Sequence, residues 1–367
     1  MNGPGIRQQL LGAAALAVAC LSSLAIVAAE NPAAPEVPGP NKHPAQKGSC
    51  STEATRPVPG AMGPVLVPFR TSPFPYDGEI PSDNKPFLDY QQGTHRGHTS
   101  PRGRLHLEEE AYSDTRSLLY LPPGFNLSRP EHALIVVFFH GNYARLREDI
   151  LLRQRVPQQL AGSGLNAALV VPQFAVNIAD SSAGRFWQTG VFNQYLAEAA
   201  EHLAALRGEP CTQSIFDRLG VILVAYSGGY NPAAYALAVG GADARVRGVI
   251  LLDALYGETD KFDKWIERSV SAQRSAFFFS AYSDSSRTEN LALQQSLAQH
   301  GVIINTSPHL RLTQGSAAFL FAGPGIDHTT FVTSAWVSDP LKAVLSAIEG
   351  FRMSVRTTNP VAPRTIH

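Results

Sequence analysis

Short, continuously apolar runs alternate with longer segments of helical periodicity through most of this 367-residue chain. The apolar runs fall at 117–121, 133–139, 167–171, 220–225, 246–252, 275–281 and 317–322, and Leu134 to Phe139 contains no polar residue at all. A run without polar alternation suits a strand buried on both faces, the position of strands in a parallel sheet. Helical patterns occupy 147–162, 190–207, 231–239, 259–270, 288–300 and 329–350 between them. Repeated strand–helix–strand order predicts an α/β fold, a mostly parallel central sheet with helices on both faces. Functional groups in such sheets gather where the strands end, at their carboxyl edge. The residues that follow each apolar run are therefore the place to look for chemistry.

The ends of the chain read differently. Arg7 precedes an apolar run, Leu10 to Ala29, that closes on Val27-Ala28-Ala29. This is the pattern of a signal peptide covering 1–29, with cleavage after Ala29, and it predicts export to the periplasm or the medium. The run also approaches the length of a membrane span, so an uncleaved anchor is the alternative; after cleavage no stable membrane insertion is expected. Residues 30–64 are rich in Pro, Ala and Gly and read as a disordered or extended leader. The domain is expected over 65–352, with 65–105 as surface coil wrapping it and offering an early strand, and 353–367 as an unstructured tail. Removing the signal leaves Cys50 and Cys211, a pair that an oxidising compartment could bridge. Basic and acidic residues balance at 30 each, which argues against a nucleic-acid partner.

Three strand ends carry candidate catalytic residues. The run Val221 to Val224 leads into Ala225-Tyr226-Ser227-Gly228-Gly229-Tyr230 and then a helix pattern with Pro232 in its first turn. Strand, tight turn and helix with a serine at the apex form a nucleophile elbow, which needs small residues two before and two after the serine. Gly229 fills one position, and Ala225 stands where glycine is commoner. A serine N-cap on an ordinary helix is the competing reading. The earlier run ends in Phe139-His140-Gly141-Asn142-Tyr143. The last run is followed by Gly323 to Thr330, with His328 as candidate general base, ahead of His300 and His309 near exposed turns. The acid is open between Asp284, after the run ending at Ala281, and Asp253, which directly follows Leu251-Leu252.

On the His-Gly loop, the serine elbow and the late histidine, taken in that order, residues 117–350 resemble an α/β-hydrolase of the serine esterase, lipase and peptidase type. The resemblance implies an eight-stranded, mostly parallel sheet and a Ser-His-Asp mechanism. It implies an oxyanion hole from backbone N–H groups of Asn142 or Tyr143 and of Gly228, with His140 structural. No metal or organic cofactor is implied. The long segment Pro172–Gly190 would line the substrate site, with Trp187, Phe186 and Tyr226 as an apolar wall and Arg185 meeting a carboxylate. Arg145, Arg147, Arg153 and Arg155 read as a solvated face. The expected activity is hydrolysis of an ester or amide in a small-molecule or acyl substrate. Action on cell-wall amide bonds, and a non-catalytic envelope-binding role, are the alternatives. Oligomeric state is not legible.

Overall fold

The computed structural model describes Arg56, residues 63–305 and residues 310–353. The expected signal peptide, most of the Pro-rich leader, Cys50, His309 and the expected tail after Met353 lie outside the described residues.

The core of the fold is a nine-stranded sheet. Its strands are β1 (Val65–Pro68), β2 (Arg116–Tyr120), β3 (Leu134–Phe139), β4 (Ala167–Pro172), β5 (Gly220–Tyr226), β6 (Val246–Leu252), β7 (Phe277–Tyr282), β8 (Ile304–Asn305) and β9 (Ala317–Phe321). The spatial order is β1-β2-β4-β3-β5-β6-β7-β9-β8. Among these strands β2 alone runs against the rest, pairing antiparallel with both β1 and β4. The two-residue strand β8 extends the sheet one strand beyond the eight expected. Each apolar run of the sequence lies on one of these strands to within a residue or two.

Alternate residues of the strands feed two separate cores. Ile135, Val137, Val221, Leu223, Val249 and Leu251 point to one face, and Leu134, Val136, Ile222, Val224, Ile250 and Leu252 to the other. Helices α2 (Val191–Arg207), α3 (Tyr230–Ala238), α4 (Thr259–Trp265) and α5 (Arg287–Gln299) pack on the first face. Helices α1 (Val156–Ser163) and α6 (Pro340–Ser346) pack on the second. Strands buried on both faces have no use for polar alternation, which is why the runs are continuous.

Three expectations fail, each for a local reason. The helix expected over 147–162 is interrupted at Arg155, φ +55, between a π-helical stretch Leu146–Arg153 and α1. The helix expected over 329–350 shrinks to α6. Residue 339 precedes a proline, which disfavours the α-helical conformation there. Asp339 instead adopts φ +51, and Pro340 opens the helix at a position where no N–H donor is needed. His328–Thr330 form only a 3-10 turn. Residues 65–105 are more regular than the expected coil. They contribute edge strand β1, a hairpin of Glu79–Ile80 with Lys85–Pro86, and most of a small antiparallel sheet of Tyr90–Gln92, His95–Thr99 and Leu105–Leu107. Phe74 and Phe87 from this segment are buried against Tyr112, with ring centroids 5.1 and 5.0 Å away. Their spacing follows neither helix nor strand period, so periodicity does not reveal them.

The strand order changes direction beside β3: the chain moves from β3 to β4 on one side, then to β5 on the other. Loops that leave the carboxyl ends of β3 and β5 therefore diverge, and the crevice between them is where sheets of this kind bind ligands.

Candidate active site

At the end of β5 the backbone turns sharply. Ser227 has φ +51, a left-handed conformation uncommon for a residue with a Cβ, and helix α3 begins three residues later. Two glycines make the close approach possible. A Cβ at position 229 would stand 2.2 Å from the Phe139 carbonyl oxygen, and one at position 141 would stand 2.7 Å from the Ser227 Cβ. The ends of β3 and β5 thus press together around the serine and present its hydroxyl to the crevice.

His328 arrives from the loop after β9. Its Nε2 accepts from the Ser227 hydroxyl at 2.8 Å, and its Nδ1–H donates to Asp253 Oδ2 at 2.7 Å. The imidazole is held by two tyrosines. The Tyr226 ring stacks on it at 5.3 Å, and its hydroxyl donates to the His328 backbone carbonyl at 2.7 Å. Tyr256 meets it edge-on at 88°. Its hydroxyl lies 3.2 Å from Nδ1 and 2.9 Å from the Ser285 hydroxyl. Burial raises the Tyr256 phenol to about 12, so it stays protonated near neutrality.

Asp253 is fully buried at the end of β6. Burial alone would raise its carboxyl, but the bond from His328 and those from the Ser283 N–H and the Ser286 and Ser283 hydroxyls outweigh it and hold the group below the usual carboxylate range. The Ser283 N–H donates to Oδ1 at 2.9 Å, and the hydroxyls of Ser283 and Ser285 donate to Oδ2 at 2.7 and 2.9 Å. The Ser286 hydroxyl donates to Oδ1 at 2.5 Å. A buried carboxylate with this many donors remains an anion and fixes the imidazole beside it.

The structure thus joins Ser227, His328 and Asp253 in one hydrogen-bonded chain and leaves Asp284 out of it. Asp284 is half exposed, accepts from the Gly325 N–H at 3.3 Å and faces Arg287 at 3.6 Å. Its neighbours Ser283, Ser285 and Ser286 are what reach inward, as the clamp on Asp253. From sequence these serines suggest no more than a turn. The signal for a larger role is the cluster of hydroxyls directly after a buried strand, with an aspartate ending the strand before it.

The other expected site residues divide. Among the described residues the Asn142 N–H has no hydrogen-bond acceptor, and Asn142 Oδ1 accepts from the Ser181 hydroxyl at 3.2 Å beside Gly228. Tyr143 is corrected: its N–H is spent on the Ile178 carbonyl at 2.9 Å, so it cannot serve an oxyanion. His140 is buried, its Nδ1–H donating to the Gly141 carbonyl and its Nε2 accepting from the Phe174 N–H at 2.9 Å, which ties this loop to the segment after β4. Tyr226 is buried and holds the histidine loop. Phe186 is fully buried in the core, and Arg185, half-buried, donates through Nη1 to the Arg70 carbonyl at 2.6 Å. Arg153 pairs with Asp149 at 2.9 Å and reaches the Thr329 carbonyl at 3.3 Å, so it braces the histidine loop.

Trp187 does line a cleft, of ≈ 440 Å³, together with Tyr230, Tyr235 and Ser181. Its Nε1–H donates to Asn231 Oδ1 at 3.2 Å. The opposite wall comes from residues 80–101, including Lys85 and Asp89, a segment that periodicity alone leaves as coil. Ser181 connects this cleft to Asn142 and the Gly228 side of the serine.

The sheet order, the strained serine between β5 and α3, and the histidine after the last long strand decide the architecture. The chain has the α/β-hydrolase fold. No family model matches the sequence, and no curated relative does. Among solved structures it is similar to the feruloyl esterase module from Clostridium thermocellum complexed with sinapinate, at 14% identity over 76% of this chain and 96% of that chain, with a TM-score of 0.40. It is also similar to a dienelactone hydrolase from Anabaena variabilis, at 18% identity, 63% and 87% coverage and a TM-score of 0.35. An S-formylglutathione hydrolase from Agrobacterium tumefaciens matches at 12% identity, 70% and 94% coverage and a TM-score of 0.36.

Two outcomes follow from this geometry. Asp253→Asn should lower kcat/KM for ester hydrolysis by about 10³–10⁴-fold, since the amide no longer fixes the imidazole tautomer. Asp284→Asn should leave it near wild type, and equal losses in the two variants would contradict the assignment. His140 gives a pH signature. Burial pushes its imidazole down from 6.5 to about 4. Between those values the unfolded chain binds a proton that the folded chain does not, so stability falls as pH falls, by about 1.4 kcal/mol per unit from this group. Urea melts at several pH values should show a shallower acid slope in His140→Asn, and an unchanged slope would contradict the buried neutral imidazole.

Proposed function

We propose that this chain is a serine hydrolase that cleaves a carboxylic ester, or a related acyl bond, through an acyl-enzyme. The observation that carries the reading is the continuous bond path from a left-handed serine through both nitrogens of His328 to a buried, clamped Asp253. That arrangement activates a hydroxyl that would otherwise be a poor nucleophile.

In the reaction the substrate carbonyl sits against the backbone N–H groups of Gly228 and Asn142. Ser227 Oγ attacks the carbonyl carbon while His328 Nε2 takes the hydroxyl proton, and Asp253 stabilises the imidazolium without taking the proton itself. The tetrahedral oxyanion accepts from the two N–H donors, each typically worth about 10²–10³ in rate. His328 then gives its proton to the leaving oxygen, and the C–O bond breaks to leave an acyl-Ser227 ester. Water enters, gives a proton to His328 and attacks the acyl carbon; the acid product leaves and Ser227 recovers its proton. The cleft beside Trp187 has a volume within the range of small-molecule sites and supplies room for one part of the substrate. The apolar run Leu10–Ala29 supports action outside the cytoplasm.

Hydrolysis of a short-chain p-nitrophenyl ester tests the reading. Ser227→Ala and His328→Ala should each lose roughly 10³-fold or more of kcat/KM. Variants that hydrolyse the ester as fast as wild type would leave the constellation without a catalytic role and favour a binding function.

A further inference from the structure

A second group of chemistry-bearing side chains lies away from the crevice. Asp263 and Glu267 stand one helical turn apart, on α4 and on the π-helical stretch Ile266–Ala272 that continues it. His300 faces them from the end of α5. One donor atom from each of the three lies within 4.8 Å of the other two. Helix α5 starts beside the clamp serines and runs about 20 Å to reach His300, so the group sits at the opposite edge of the sheet from Ser227.

Its hydrogen bonding is incomplete. Asp263 Oδ2 accepts from the Ser296 hydroxyl at 2.5 Å, which fixes the carboxylate. Asp263 Oδ1 is buried and has no hydrogen-bond partner, although it lies 3.9 Å from His300 Nδ1. Such an orphaned acceptor is costly to bury. Charge is also unbalanced. Lys261 and Lys264 are paired with Asp260, and Arg268 with Asp243. Among the described residues His300 is the sole ion-pair partner of Asp263 and of Glu267. Two carboxylates therefore share one imidazole, and no described lysine or arginine pairs with either.

We infer that Asp263, Glu267 and His300 form a structural site for a divalent transition metal, with zinc the best match. One imidazole nitrogen and two carboxylate oxygens are donors that zinc accepts, and a water can complete the tetrahedron. Zinc ligands at about 2.0–2.2 Å place donor atoms about 3.3 Å apart. Asp263 Oδ1 is already near that distance from the imidazole. Glu267 and His300 have to separate slightly, and their side chains, 38% and 51% exposed, are free to do so. The Ser296 hydroxyl takes the part of an outer partner that orients a ligating carboxylate. The metal would satisfy the orphaned oxygen, neutralise the excess charge and fasten the irregular π-helical turn to α5. An all-oxygen cation such as Mg²⁺ or Ca²⁺ fits poorly because of the imidazole.

Calorimetric titration of the full-length, chelator-stripped protein with ZnCl₂, paired with thermal melts, tests the site. The expected result is one zinc per chain at micromolar affinity or tighter. The melting temperature should rise by roughly 5 °C or more at a hundredfold excess over Kd. His300→Ala and Asp263→Asn should each weaken zinc binding at least tenfold and cut the thermal shift at the same zinc concentration by about half or more, while ester hydrolysis stays at the wild-type level. Absence of zinc binding in wild type, unchanged affinity in both variants, or an equal response to MgCl₂ would overturn the inference. Because hydrolysis is read separately, failure here leaves the Ser227 reading untouched, and the reverse also holds.

Discussion

Everything at the crevice depends on one backbone turn. Ser227 occupies a left-handed conformation that costs a residue with a Cβ of order 1–3 kcal/mol. It is held there because β5 is paired on both sides, with β3 and β6, and α3 is packed on the sheet directly after it. A strand fixed in register and a helix fixed on its face leave the connecting residues no relaxed alternative. The close approach of Gly141 and Gly229 to this turn makes the end of β3 part of the same constraint.

The carboxylate bonded to His328 is positioned by a second turn of the same kind. Asp253 also has positive φ, +46, a conformation that aspartate tolerates better than most residues. Its N–H donates to the Ala281 carbonyl near the end of β7, and its carboxylate receives the serines that follow β7. Two neighbouring strand ends therefore hold this carboxylate together, β6 supplying it and the residues after β7 its donors. Asp284, already half exposed and facing Arg287, takes none of these donors, and without Asp253 the clamp serines would lose their acceptor.

The sheet is legible from sequence because strands buried on both faces must be continuously apolar, and a run such as Leu134–Phe139 has little else it can be. Ser227 and His328 are legible because each stands at a fixed place after such a run. The choice of Asp253 over Asp284 is not, since it depends on which way a loop folds back across 30 residues of sequence. After β3 the choice between the Asn142 and Tyr143 N–H groups is open from sequence because nothing local shows that the Ile178 carbonyl claims the Tyr143 N–H. The cleft wall from residues 80–101 is hidden for a related reason. The buried aromatics that anchor this segment, Phe74 and Phe87, are spaced by hairpin turns, and no period marks them.

Covalent labelling by a fluorophosphonate probe tests most directly whether Ser227 is an activated nucleophile. The expected result is one phosphonate per chain, attached at Ser227 by peptide mapping, and no labelling of Ser227→Ala. Labelling absent from a folded wild-type protein, or equal labelling of wild type and Ser227→Ala, would contradict it.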